Sequence, residues 1–174
     1  MKWDPIMEVW KKPHSIYLIG SLRNEKIPAV ARVLRDEHFN VFDDWFAAGP
    51  EADDWWRTYE KNKGTSYPAA LEGYAARHVF SFDYTHLNRC DFGVLVLPAG
   101  KSGHLELGYM CGQGKPCFVL FEEEPERWDV MYQFATGGIH FSLDSLVKSL
   151  KRISGGGENT LTIGELGVNL LSGV

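Results

Sequence analysis

Long apolar runs are missing from this sequence. No segment approaches the roughly 18 unbroken apolar residues of a membrane-crossing helix, and the opening MKWDPIMEVWKKP lacks the layout of a secretory leader. Basic clusters are missing too. Lysine and arginine total 18 against 23 acidic residues, a formal charge of −5, and Lys11-Lys12 is too short a patch for nucleic acid. Cysteine is scarce: Cys90, Cys111 and Cys117 make an odd count with no C-x-x-C pair. That excludes a disulfide framework and points to reduced, mostly buried thiols in a cytoplasmic protein. Neither membrane nor nucleic acid is an expected partner. What remains, 174 residues with 44% apolar content, suits one soluble domain able to bury a core.

Short apolar runs alternate with helical patterns. SIYLIG (residues 15–20) reads as a buried strand, and IPAVARVLRDEHF as a helix with Ile27, Val30, Val33 and Leu34 on one face and Pro28 in its first turn. NVFDDWF predicts a second strand. Residues 47–67, acidic, aromatic and broken by Gly and Pro, read as a lid or insertion holding a short helix. A helix over PAALEGYAARHVFSFDYTHLNRCD, broken near Ser81, leads into FGVLVL, whose unbroken apolar character marks a central parallel strand. HLELGYMCGQG, CFVLF, GIHFS and LDSLVKSLKRI then supply helix, strand, weak strand and closing helix.

This alternation predicts an α/β, flavodoxin- or Rossmann-like three-layer sandwich around a five-stranded parallel sheet ordered 2-1-3-4-5. Residues 1–14 are expected to be an N-terminal extension, 15–154 the domain, and 155–174 a Gly-rich linker and tail. In that strand order the first and third strands are neighbours whose connections leave to opposite faces, and ligands bind at this switch point. The loops meeting there are GSLRN and PAGKSG.

GSLRN offers Gly20 for close backbone approach, Ser21 as a hydroxyl and Arg23 as a fork for phosphate or carboxylate. It is neither a Walker A loop nor a full dinucleotide fingerprint. In PAGKSGHLELG, a helix read as Leu105–Gln113 puts Glu106 in its first turn, where free N–H groups would keep the carboxylate ionised. A charged carboxylate there suits attack on an electron-poor carbon, or stabilisation of a cation. Asp83 either reaches over the pocket, if its helix bends, or lies on a solvated face. Asp91 is read as structural, at the start of the third strand. His104-Leu105-Glu106 has the H-x-E form of zinc deaminases, but Pro116-Cys117 lacks the second cysteine of P-C-x-x-C, and no metal site is expected.

The segments YLIGSLR, DYTHLNRCDFGVLVL and GKSGHLELG, in this order between Ile16 and about Ile153, resemble the nucleoside 2-deoxyribosyltransferase superfamily, which includes 2′-deoxynucleoside 5′-monophosphate N-glycosidases. The distinguishing pattern is an aspartate, a second aspartate eight residues on, an apolar strand, and a Gly-rich loop ending in E-L-G. The resemblance implies that Glu106 is the nucleophile at the anomeric carbon and that Asp83 protonates the leaving base or orients the sugar. It implies that Gly20, Ser21 and Arg23 bind a 5′-phosphate, and that Ser102 and Gly103, with Gly100 in the same loop, contact the sugar or its phosphate. Asp43 and Trp45 are further candidates for substrate contact, and Tyr17, Trp55 and Trp56 for stacking on a base.

N-glycoside cleavage by two carboxyl groups needs no cofactor. The implied partners are a nucleoside or nucleoside 5′-monophosphate and, from the resemblance, further copies of the chain. The competing readings are an NAD-type glycohydrolase, a "lonely guy"-like phosphoribohydrolase, disfavoured because PAGKSGHLE lacks the P-G-G-x-G-T-x-x-E pattern, and a nucleotide sensor or sequestering protein without turnover.

Overall fold

The computed structural model describes residues 13–155. The expected N-terminal extension, apart from Pro13 and His14, and the tail beyond Gly155 lie outside them. Strands β1 (Ser15–Ile19), β2 (Asn40–Phe42), β3 (Phe92–Val96), β4 (Cys117–Leu120) and β5 (Gly138–His140) form one parallel sheet ordered β2-β1-β3-β4-β5. This is the order expected from the alternation of elements. Tyr17 of β1 lies between Phe42 of β2 and Gly93 of β3 in the register.

Because side chains alternate along a strand, each strand feeds two cores. Ile16, Leu18, Phe92, Val94, Val96, Phe118 and Leu120 face α1 (Ile27–Asp36) and α6 (Leu143–Ser154), which contribute Ile27, Leu34, Leu146 and Leu150. Tyr17, Ile19, Leu95, Cys117 and Val119 face α4 (Tyr74–Arg89) and α5 (Lys101–Gly112), which contribute Leu87, Leu107 and Met110. The chain therefore leaves β1 toward one face and β3 toward the other, which makes their C-terminal ends the switch point.

Several boundaries differ from the sequence reading. The second strand stops at Phe42. Arg35 of α1 grips the Asp43 carboxylate, the Trp45 indole N–H donates to Leu18 O at 2.8 Å, and the chain curls into a 3-10 turn over Asp44–Ala48. The 47–67 excursion is mostly ordered helix, α2 (Ala52–Asn62), followed by α3 (Tyr67–Leu71). The helical break falls at Glu72-Gly73 rather than Ser81: Gly73 is the extended N-cap of α4, which runs unbroken through Ser81. Among the described residues, no helix is long and apolar enough to cross a membrane.

Candidate active site

The two loops of the switch point are tied together by a residue that the sequence reading left without a role. Asn24, 5% exposed, donates from Nδ2 to Val96 O and Pro98 O, both at 3.3 Å, while its Oδ1 accepts the Lys26 amide at 3.1 Å. Asparagine suits this place because one side chain carries donors and an acceptor. The Leu97–Pro98 peptide in the partner loop is cis. Ser21, Arg23, Asn24, Pro98 and Ala99 line a small open cleft of about 130 Å³ between the loops. Gly20, just after β1, is tightly packed: a Cβ there would lie 2.4 Å from Ile27 Cδ1 and 3.4 Å from Trp45.

On the α4/α5 side of the sheet, three acidic groups from distant parts of the chain converge. Tyr17 comes from β1, Asp83 from α4 and Glu106 from α5. The Tyr17 hydroxyl and the Asp83 carboxyl influence each other's ionisation at close range, and both Asp83 and Glu106 act on Tyr17 through their charge. Burial is the leading influence on all three. It raises Tyr17 well above the ordinary phenol value, with Glu106 and then Asp83 adding to the rise. Burial likewise raises Asp83, opposed by the Tyr17 hydrogen bond and then by the charge of His86. Glu106 is pushed up to about 8, by burial first and the neighbouring Asp83 second. Asp83 Oδ1 is buried without a hydrogen-bond partner among the described residues, as is the Trp56 indole nitrogen.

Glu106 thus differs from the sequence expectation in both place and charge. Helix α5 begins at Lys101, so Glu106 falls in its second turn, and no acidic residue occupies the first. The free N–H groups of the helix start belong to the Gly100–Gly103 segment instead. Without them, burial beside a second carboxyl decides, and near neutral pH Glu106 holds a proton. The sequence reading missed the start because GKSG resembles a loop. Gly103 is in fact helical and buried, and a Cβ there would meet Ile19 and Leu95 at 3.3 Å, so its missing side chain lets α5 lie close on β1 and β3.

His86 also went unnoticed. It lies one turn after Asp83, stacked on Phe42 with ring centroids 3.7 Å apart and planes 7° from parallel, with Phe82 edge-on at 5.1 Å. Its position on the same helical face as Asp83 is legible from the i, i+3 spacing, but its contact with β2 is not.

The remaining candidates are spread around this centre. The Arg23 guanidinium donates to Asp54 of α2 at 2.8 Å, and Arg57 pairs with the other oxygen of the same carboxylate at 2.9 Å. Asp43 is engaged by Arg35, and Trp45 packs between the two cores. Asp91 accepts from the Ser15 amide at 2.7 Å and from its hydroxyl at 2.8 Å, at the start of β3. Ser102 is exposed in the first turn of α5, and Gly100 is its N-cap. His104, one turn on, directs Nδ1 to Gly100 O at 2.8 Å and Nε2 to the Tyr132 hydroxyl at 2.9 Å. Trp55 is 70% exposed on α2. Cys90, Cys111 and Cys117 are free thiols.

A parallel α/β sheet with ligand-facing loops at its switch point is an architecture shared by many nucleotide-binding, Rossmann-like enzymes. No protein-family model matches the chain, and a search of curated proteins returns no match.

Proposed function

We propose that the chain cleaves the N-glycosidic bond of a deoxynucleoside, nucleoside or nucleoside 5′-monophosphate, by hydrolysis or by transfer to a second base, with Glu106 as nucleophile and Asp83 as acid. The observation that carries this reading is the convergence of Tyr17, Asp83 and Glu106 on the α4/α5 side of the sheet, where burial raises the proton affinity of both carboxyl groups and Asp83 adds to the rise at Glu106. One proton between two carboxyl groups is the stoichiometry that a nucleophile and an acid need together.

Burial favours a proton on Glu106 before the sugar binds. As positive charge develops on the sugar, ionised Glu106 is stabilised and the proton passes to Asp83. Glu106 forms an ester bond to the anomeric carbon as the C–N bond breaks, the bonding pair leaves with the base, and Asp83 protonates it. Water, or the nitrogen of another base, then attacks the anomeric carbon, gives its proton to Asp83 and releases Glu106. The buried Oδ1 of Asp83 has no hydrogen-bond partner among the described residues, so that oxygen is not committed to another group.

A second copy of the chain belongs to the same reading. Helix α4 leaves Tyr74, Phe80, Phe82 and Tyr84 at 94%, 66%, 41% and 44% exposure, on the helix that carries Asp83.

Incubation with deoxynucleosides, nucleosides, their 5′-monophosphates and NAD, followed by chromatography for free base, tests the activity. Release is expected from a deoxynucleoside or its monophosphate, and is expected to vanish in folded Glu106→Gln and Glu106→Ala variants. Tight binding of one compound with no release from any would overturn the reading in favour of a sensor, and release from NAD alone would favour a glycohydrolase of that type.

A further inference from the structure

Arg23 is the basic side chain among the residues lining the cleft between the two loops, and its guanidinium already has an anion. Asp54 Oδ2 accepts from Arg23 at 2.8 Å, and Oδ1 receives Arg57 at 2.9 Å, so both carboxylate oxygens are committed to arginines. Asp54 lies in the first turn of α2 beside Asp53, where the helix start favours negative charge. The carboxylate, about half exposed, thus already occupies the guanidinium that an incoming phosphate would seek in this cleft.

We propose that Asp54 is a specificity-determining residue that sets the site toward ligands lacking a 5′-phosphate. A 5′-phosphate dianion reaching Arg23 meets the Asp54 carboxylate within hydrogen-bond distance of the same guanidinium. It must displace that carboxylate or bear its repulsion. An uncharged 5′-hydroxyl leaves the ion pair intact and finds Ser21, whose Oγ accepts the Arg23 amide at 3.2 Å and keeps its own proton to donate. The residue rests on α2, within the excursion between β2 and α4, so this segment acts on ligand choice without supplying a reacting group. The inference rests on the N-glycosidase reading for the ligand's class, while the charge argument concerns the cleft alone.

The discriminating variants are Asp54→Asn, which removes the charge and keeps the shape, and Arg57→Gln, which removes the second arginine and leaves the Arg23 pair. Base release is followed for one deoxynucleoside and its 5′-monophosphate. In Asp54→Asn the monophosphate-to-nucleoside ratio of kcat/KM is expected to rise about tenfold, the scale on which a half-exposed charge acts. In Arg57→Gln the same ratio is expected to fall. An unchanged or lower ratio in Asp54→Asn would overturn the proposal, because Asp54 would then be neutral toward phosphate or would be positioning the arginines to receive it. Calorimetric titration of each protein with inorganic phosphate separates this outcome from failure of the enzymatic reading. Tighter phosphate binding by Asp54→Asn supports the charge argument even if no base is released from any compound, and equal binding refutes it.

Discussion

Replacing Glu106 with glutamine removes a carboxyl group whose proton is tied to folding, and the effect on stability depends on pH in a direction that can be worked out. In the unfolded chain the group titrates near 4.5; in the folded chain it titrates at about 8, raised by burial and by Asp83. Between those values the folded chain binds a proton that the unfolded chain has lost, so stability falls as pH rises through the window. Below it both states are protonated and the group contributes nothing; above it the folded chain carries the full cost of a buried carboxylate. Each pH unit is worth about 1.4 kcal/mol, which over the window amounts to about 5 kcal/mol. Water entry and relaxation around a partly exposed side chain reduce this to roughly half. Glutamine has nearly the same shape and no charge. Glu106→Gln is therefore expected to match the parent near pH 5 and to exceed it by about 2 kcal/mol above pH 8. The elevated proton affinity of Asp83 is present in both chains and largely subtracts. Urea unfolding of the two proteins at about pH 5, 7 and 9 measures the difference directly, provided the slopes agree. A gap that stays constant across the three conditions would show that Glu106 ionises freely in the folded state, and would refute the account of the acidic cluster.

Two further changes probe the same structure. Tyr17→Phe removes the hydroxyl that lowers the proton affinity of Asp83. The expected results are a limb of the pH–rate profile displaced to higher pH and a stability loss of about 1 kcal/mol; an unshifted profile would remove Tyr17 from the site. Gly137→Ala places a Cβ 2.4 Å from the Phe118 ring, which is fully buried at the sheet, whereas Gly100→Ala meets nothing within 4 Å. Thermal unfolding is expected to show a loss of about 1–3 kcal/mol for the first and little change for the second, and equal effects would contradict the packing described.

Much of the fold was legible because each strand is a short, unbroken apolar run and each long amphipathic helix has its apolar stripe. FGVLVL reads as a central strand covered on both faces, and LDSLVKSLKRI as an amphipathic helix. The errors came where a tertiary contact outweighed local preference. In NVFDDWF the short strand ends before Asp43-Asp44, but only the Arg35–Asp43 pair and the Trp45–Leu18 hydrogen bond show how the chain turns after Phe42. GKSG reads as loop because glycine disfavours helix by about 1 kcal/mol, and only the packing of Gly103 against Ile19 and Leu95 reveals why a glycine is needed inside α5. Four residues of error in that helix start reversed the expected charge of Glu106. The Asp54–Arg23 pair was illegible for a related reason: nothing local tells which of several acidic residues in 43–54 will meet the loop after β1.

By itself, then, the sequence determined the class of fold through the alternation of strands and helices, and the strand order favoured for five such strands, which brings the two loops together, is the order found. It also singled out Asp83 and Glu106 as residues worth placing. Only the tertiary structure decided that these two carboxyl groups share a face with Tyr17 and how their protons are held. A proton's affinity depends on burial and on the distance to other charges, and residues 17, 83 and 106 acquire those distances only when a strand and two helices close around them.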